Sequence, residues 1–187
     1  MKLCIFYYDG FCEFETVMTS AVFSQEVVIT VALEDRVYES AEKQRYLPHK
    51  KLNDLKMDEF DIFYIPGGNP DQLFEKEELI EFIQKAYLKN KTIVGICGGT
   101  ALIAKTGLLK DKKCTGMTYG LNDVSEYSEI FKEAIIDDSQ DFIDSDNIIT
   151  SKGTAFVELA LYLGKKFNIY KSEQEYQEDY KLLKNLK

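Results

Sequence analysis

Apolar and polar positions along the chain follow two rhythms in turn. Residues 2–9, KLCIFYYD, form a nearly unbroken apolar run without helical period, as expected of a strand buried on both faces. VVITVAL (27–33), FDIFYIPGG (60–68) and KTIVGI (91–96) read the same way. Between these runs the period lengthens. CEFETVMTSAVFSQ (12–25) predicts a helix with Phe14, Val17, Met18, Ala21 and Val22 roughly on one side. KEELIEFIQKAYLKN (76–90) predicts another, with Leu79, Phe82, Ile83 and Ala86 inward. TALIAKTG (100–107) begins a third, stopped by Gly107. Later, KKCTGMTY (112–119) and NIITS (147–151) read as strands around an acidic region, 126–146. GTAFVELALYLGKKF (153–167) is a helix expected to bury Phe156, Leu159, Ala160 and Leu163. A charged last helix, about 171–185, has Tyr176, Tyr180 and Leu183 as its inner stripe. The polar segment 34–57 predicts only short strands or a turn.

Strands alternating with helices imply crossover connections, hence an α/β fold with a mostly parallel sheet and helices on both faces. In such sheets the functional crevice lies outside the carboxyl ends of the strands. Three features fall at predicted strand ends: DGFCEFE (9–15), PGGNPDQ (66–72) and CGGT (97–100). The topology therefore brings them to one edge.

Composition narrows the function classes. The 187 residues, 45% hydrophobic, suit a single domain spanning 1–187, with the last helix as an addition. No apolar run reaches transmembrane length, and no signal-peptide cleavage pattern follows the first run. A cytoplasmic protein without a membrane partner is expected. The net charge of −9 argues against a nucleic-acid partner, which needs a concentrated basic face. The four cysteines, Cys4, Cys12, Cys97 and Cys114, include no CxxC pair. They read as reduced thiols, with no metal site and no cofactor expected.

The corner at TIVGICGGT (92–100) carries the candidate chemistry. A strand turning sharply into a helix holds the residue between them away from its own backbone, provided its neighbours are small. Gly95, Gly98 and Gly99 surround Cys97 in that way. Free N–H groups at the helix start favour the thiolate, and the Gly98 N–H is placed to stabilise an oxyanion. The alternative is a small buried thiol at a tight turn. Gly67 and Gly68 form either an ordinary Pro-Gly turn or an approach for a ligand, with the Gly68 N–H as second oxyanion donor. Glu13 and Glu15 suit the start of a helix in any case. Either could also exchange a proton with the thiol.

Together these pieces resemble the ThiJ/PfpI superfamily, which has a class I glutamine amidotransferase-like fold and includes a parkinsonism-associated deglycase/chaperone and intracellular peptidases. DGFCEFE is similar to its D-G-F-x-D-x-E segment, which aligns the functional glutamate with Glu15. YIPGGNPDQL is similar to its P-G-G loop, GICGGTALIAKTGLL to its nucleophile elbow at Cys97, and IITSKGTAFVELAL to its late signature. The resemblance covers roughly residues 1–165. It implies a flavodoxin-like three-layer sandwich, a catalytic Cys97 and Glu15, backbone donors at Gly67, Gly68 and Gly98, and a homodimer.

The departures shape the functional expectation. Peptidase-like members carry a histidine directly after the nucleophile; here Gly98 stands there. Others carry one near KKCTGM, where the nearest match is Gly116 after Cys114 and Thr115. The sole histidine, His49, lies in the irregular segment. Amide hydrolysis needs an acid for the leaving amine, which weakens a peptidase or amidase reading. Addition to a small reactive carbonyl demands less. Glyoxalase- or deglycase-like action on a small-molecule substrate through Cys97 and Glu15 is therefore preferred. A cysteine hydrolase, a redox or stress sensor using Cys97 oxidation, and an inactive scaffold are the alternatives.

Overall fold

The computed structural model describes residues 1–122 and 127–184. Seven strands form the central sheet: β1 (Lys2–Phe6), β2 (Val27–Ala32), β5 (Lys50–Lys51), β6 (Ile62–Ile65), β7 (Thr92–Ile96), β10 (Phe142–Ser145) and β11 (Ile148–Ser151). Their order is β10-β11-β7-β6-β1-β2-β5. Every pairing is parallel except β10 with β11. The α/β expectation holds.

The chain runs from β1 outward to β2 and β5, then returns to the other side of β1 for β6, β7 and β11. Right-handed crossovers in opposite directions put the connecting helices on opposite faces. On one face α1 (Glu13–Val22) packs against α5 (Phe156–Lys166); on the other α2 (Glu77–Leu88) packs against α3 (Gly99–Lys105). The sheet core is fully buried at Leu3, Ile5, Phe63, Tyr64, Ile93 and Val94, among others. No helix among the described residues is long and apolar enough to cross a membrane.

Several elements differ from the sequence pattern. Helix α1 turns Glu15, Thr16, Thr19 and Val22 inward, while Phe14 and Val17 are 42% and 54% exposed and Ala21 is exposed. The polar side chains tolerate burial because Thr16 donates to the Glu13 carbonyl at 2.8 Å and Thr19 to the Glu15 carbonyl at 3.3 Å. Phe156 is only half-buried, its ring meeting that of Phe14 at 5.0 Å. The segment 34–57 contains a hairpin of β3 (Tyr38–Glu39) and β4 (Arg45–Tyr46), followed by β5 at the sheet edge. KKCTGMTY supplies only β8 (Lys113–Cys114), paired with β9 (Ile135–Ile136). Within the acidic region lies a short helix, α4 (Ser128–Phe131); the region's first residue, Glu126, lies outside the described residues.

The last helix, α6 (Glu173–Leu183), buries no residue fully, though Tyr176, Tyr180 and Leu183 are half-buried as the stripe predicts. The expected helix end at 185 lies outside the described residues. Lys184 pairs with Glu158, and Lys165 with Glu173 at 3.4 Å, holding α6 along α5.

Candidate active site

Four strand ends, those of β1, β6, β7 and β11, meet at one edge of the sheet. Cys97 sits on the sharp turn from β7 into α3 with φ 52°, a left-handed conformation uncommon outside glycine. The surroundings fix it there. Its N–H donates to the Ser151 carbonyl at 2.8 Å, and its carbonyl accepts from Thr100 and Met117 at 3.2 and 3.1 Å. The expected elbow is present.

The loop after β6 lies against this corner. Gly68 has φ +117°, and the Gly98 Cα faces it so closely that a Cβ on Gly98 would lie 2.2 Å from the Gly68 carbonyl. The backbone N–H groups of Gly68 and Gly98 both act on the Cys97 sulfur, favouring its charged form. Gly67 has a different task from the oxyanion donor expected of it. Its N–H is committed to Glu15 Oε2 at 2.5 Å. The loop is braced from below by the Tyr8 hydroxyl, which donates to the Gly67 carbonyl at 2.7 Å.

Glu15 enters from α1 and is 1% exposed. A Cβ on Gly67 would fall 2.5 Å from Cys97 Cβ and 2.8 Å from Glu15 Oε2, so both side chains press on the same glycine. Glu15 Oε1 has no hydrogen-bond partner among the described residues. Burial pushes its carboxyl up to about 8, opposed by the Gly67 N–H and reinforced by the charge of Glu42. Glu13 points elsewhere, accepting from Ser40 at 2.7 Å and Tyr46 at 3.0 Å. The structure thus separates two glutamates that the residue pattern alone left equivalent.

Cys97 is half-buried. Its thiol lies above the ordinary value, first because of burial and then because of the Glu15 charge. The helix-start N–H groups act in the expected direction but do not win. The repulsion operates only while Glu15 is ionised, so the two groups titrate as a coupled unit.

Two site residues escaped the sequence reading. Thr118 brings its hydroxyl to 3.7 Å from Cys97 Sγ. The chain reverses at Met117, φ 52°, where the sequence pattern suggested a continuing strand. Gly153 borders the pair from the end of β11; a Cβ there would lie 3.0 Å from Cys97 Cβ, 3.1 Å from its sulfur and 3.2 Å from Glu15 Oε1. The late GTA stretch held that signal without indicating a role. Cys12 also borders the site, its N–H donating to the Gly67 carbonyl at 2.9 Å.

His49 is remote. It is exposed at the β2 side of the sheet, where its Nδ1 accepts from the Thr30 N–H at 3.0 Å. Three strand spacings separate β2 from β7, roughly 14 Å. No group of three or more metal-ligating side chains occurs among the described residues.

Comparison with known proteins agrees with this fold. The chain is 25% identical to Schizosaccharomyces pombe DJ-1, with a TM-score of 0.78 over 98% of both chains. It is 30% identical over 112 residues to an uncharacterised protein of Methanocaldococcus jannaschii, covering 59% of this chain and 53% of that protein. It is 23% identical over 146 residues to the uncharacterised protease YoaZ of Bacillus subtilis, covering 76% of this chain and 67% of that protein. The match thus spans about half the length of the first curated relative. A profile of the DJ-1/PfpI family matches residues 1–166, and the chain belongs to the DJ-1/PfpI family.

Proposed function

We propose that this protein is a cysteine-dependent enzyme acting on small 2-oxoaldehydes, with Cys97 as nucleophile and Glu15 as proton donor and acceptor. The observation that carries this reading is the state of Glu15. It is a buried carboxyl raised to about 8, with one oxygen lacking a partner among the described residues. At neutral pH it holds a proton that no group among the described residues is positioned to accept. A substrate oxygen beside Cys97 would supply the missing acceptor.

The chemistry balances without an external oxidant. The Cys97 thiol gives up its proton to solvent, its sulfur bonds to the aldehyde carbon, and Glu15 protonates the carbonyl oxygen, giving a hemithioacetal. The Gly68 and Gly98 N–H groups and the Thr118 hydroxyl steady the sulfur before attack and the developing oxyanion during it. Glu15, now ionised in a dry site, takes the proton from the former aldehyde carbon and returns it to the neighbouring ketone carbon, while the hydroxyl proton on the first oxygen passes to the ketone oxygen. The first carbon is oxidised to a thioester and the second reduced to an alcohol. Water then cleaves the thioester, releasing a 2-hydroxy acid and the thiol. Amide hydrolysis is the less favoured reading, because with His49 remote it would leave Glu15 as the sole acid for the leaving amine. The same protonated carboxyl could instead donate to an oxidised Cys97, which keeps a sensor role as the second reading.

The reading further takes the protein as cytoplasmic, because its cysteines are free thiols. It takes it as homodimeric, because Phe14 and Val17 leave an apolar strip exposed on α1. The experiment is incubation with methylglyoxal, following its loss and lactate formation. Activity that disappears in both Cys97→Ser and Glu15→Gln supports the reading; activity retained in either variant, or absent from wild type, contradicts it.

A further inference from the structure

A cavity separate from the Cys97 site opens where the strand order reverses. From β1 the chain runs to β2 on one side and returns for β6 on the other. Open α/β sheets commonly bind ligands in the crevice at such a reversal, outside the carboxyl ends of the strands. Here the crevice is a cavity of about 190 Å³. Its walls come from the residues that follow β1 and β2 and from the connection between β6 and α2. Neither Cys97, Glu15 nor Thr118 lines it. Drug-sized ligands fill about 300 Å³ or more, so this volume suits a single ring with one small substituent.

The lining combines buried rings with a charged rim. Phe6, Tyr8, Tyr38 and Leu73 are all buried, and three of the four are aromatic, which suits a flat partner. Their hydroxyls are already committed: Tyr8 donates to the Gly67 carbonyl at 2.7 Å, and Tyr38 accepts the Glu34 N–H at 3.0 Å. Two carboxylates, Asp9 and Glu34, also line the cavity, and Arg36 holds both. Its Nη2 donates to Asp9 at 2.6 Å and its Nε to Glu34 at 3.0 Å. Its Nη1 donates to the Val37 carbonyl at 3.1 Å, and the guanidinium lies 4.0 Å over the Tyr38 ring. Lys76 is different. Its exposed ammonium has no ion-pair or hydrogen-bond partner among the described residues. The cavity therefore sets aromatic walls beside one open positive charge.

We propose that this cavity is a second binding site, for a small aromatic carboxylate whose ring sits among Phe6, Tyr8, Tyr38 and Leu73 and whose carboxylate pairs with Lys76. The inference is independent of the carbonyl chemistry proposed at Cys97, because it needs neither the thiol nor Glu15.

The test titrates three probes into the isotope-labelled full chain and follows its backbone amide resonances. Benzoate is the aromatic carboxylate, benzamide its neutral counterpart, and acetate the carboxylate without a ring. Benzoate is expected to give saturable shifts with a Kd of about 1 mM, as modest binding efficiency gives for so few atoms. The shifts should centre on Tyr8, Leu33, Arg36, Leu73 and Lys76, and should persist after Cys97 is blocked with iodoacetamide. Benzamide should bind wild type about fivefold more weakly than benzoate, and benzoate should bind Lys76→Gln more weakly by the same factor, the size of one exposed ion pair. Lys76 is exposed and unpaired, so this variant is expected to keep the wild-type unfolding temperature. Acetate should give no saturable shift. The proposal is overturned by an absence of saturable benzoate shifts, by shifts centred on Cys97, or by their loss once Cys97 is blocked. Equal affinities for benzoate and benzamide, equal affinities of wild type and Lys76→Gln for benzoate, or saturable binding of acetate would overturn it as well.

Discussion

Replacing Glu15 by Gln should change how stability depends on pH. The carboxyl has an ordinary value of 4.5, and burial raises it to about 8 in the folded chain. The folded state therefore holds this proton more tightly than the unfolded state. Its contribution to stability is fully present below about 4.5 and is lost progressively as pH rises towards 8. The whole gap, at 1.36 kcal/mol per pH unit, is worth about 5 kcal/mol; the portion between about pH 5.5 and about pH 8.5 is about 3 kcal/mol. Glutamine keeps an acceptor for the Gly67 N–H and cannot ionise. Urea unfolding at the two pH values should show wild type losing about 3 kcal/mol more than Glu15→Gln, a shift of about 1–2 M in the midpoint. The thiols of Cys4 and Cys114, whose shifts do not involve Glu15, cancel in the comparison. Equal pH dependence in the two proteins would refute a protonated, buried Glu15, and with it the proton donor on which the proposed chemistry depends.

Gly153→Ala should place a methyl 3.0 Å from Cys97 Cβ and 3.2 Å from Glu15 Oε1. Cys97 alkylation and methylglyoxal turnover are expected to fall at least about tenfold, while thermal unfolding shows a correctly folded protein. Thr118→Val removes the hydroxyl that lies 3.7 Å from the sulfur and favours its charged form. The pH midpoint of Cys97 alkylation should move upward, with little change in stability because Thr118 is exposed. His49→Ala should leave methylglyoxal turnover at the wild-type level, since the imidazole is bonded to Thr30 on a distant strand.

The parallel sheet was legible because its strands are continuous apolar runs, and runs of that kind need cover on both faces. The elbow was legible because Gly95, Gly98 and Gly99 around one cysteine have few other uses. Helix α1 was misread because the pattern assumes that polar side chains face water. Thr16 and Thr19 instead satisfy their own hydroxyls on the preceding turn, and Glu15 is buried with the Gly67 N–H on its Oε2. Thr118 and Gly153 stayed hidden for a related reason. Their positions depend on how two loops fold over Cys97, through the Gly153 N–H to the Met117 carbonyl at 2.7 Å and the Met117 N–H to the Cys97 carbonyl at 3.1 Å. Such long-range backbone bonds leave no local period. The commitment of the Gly67 N–H to Glu15 was equally invisible, because a Pro-Gly-Gly loop looks the same whichever of its donors is free.

The most direct test of the account is the pH profile of Cys97 alkylation by iodoacetamide in wild type and Glu15→Gln. Cys97 and Glu15 are held to be one coupled unit, in which ionisation of Glu15 near pH 8 pushes the thiol upward. The account predicts a stretched profile in wild type, rising into more alkaline solution, and a simpler profile at lower pH in Glu15→Gln. Superimposable profiles would mean that the carboxyl does not act on the sulfur, and the proposed division of labour between them would fall.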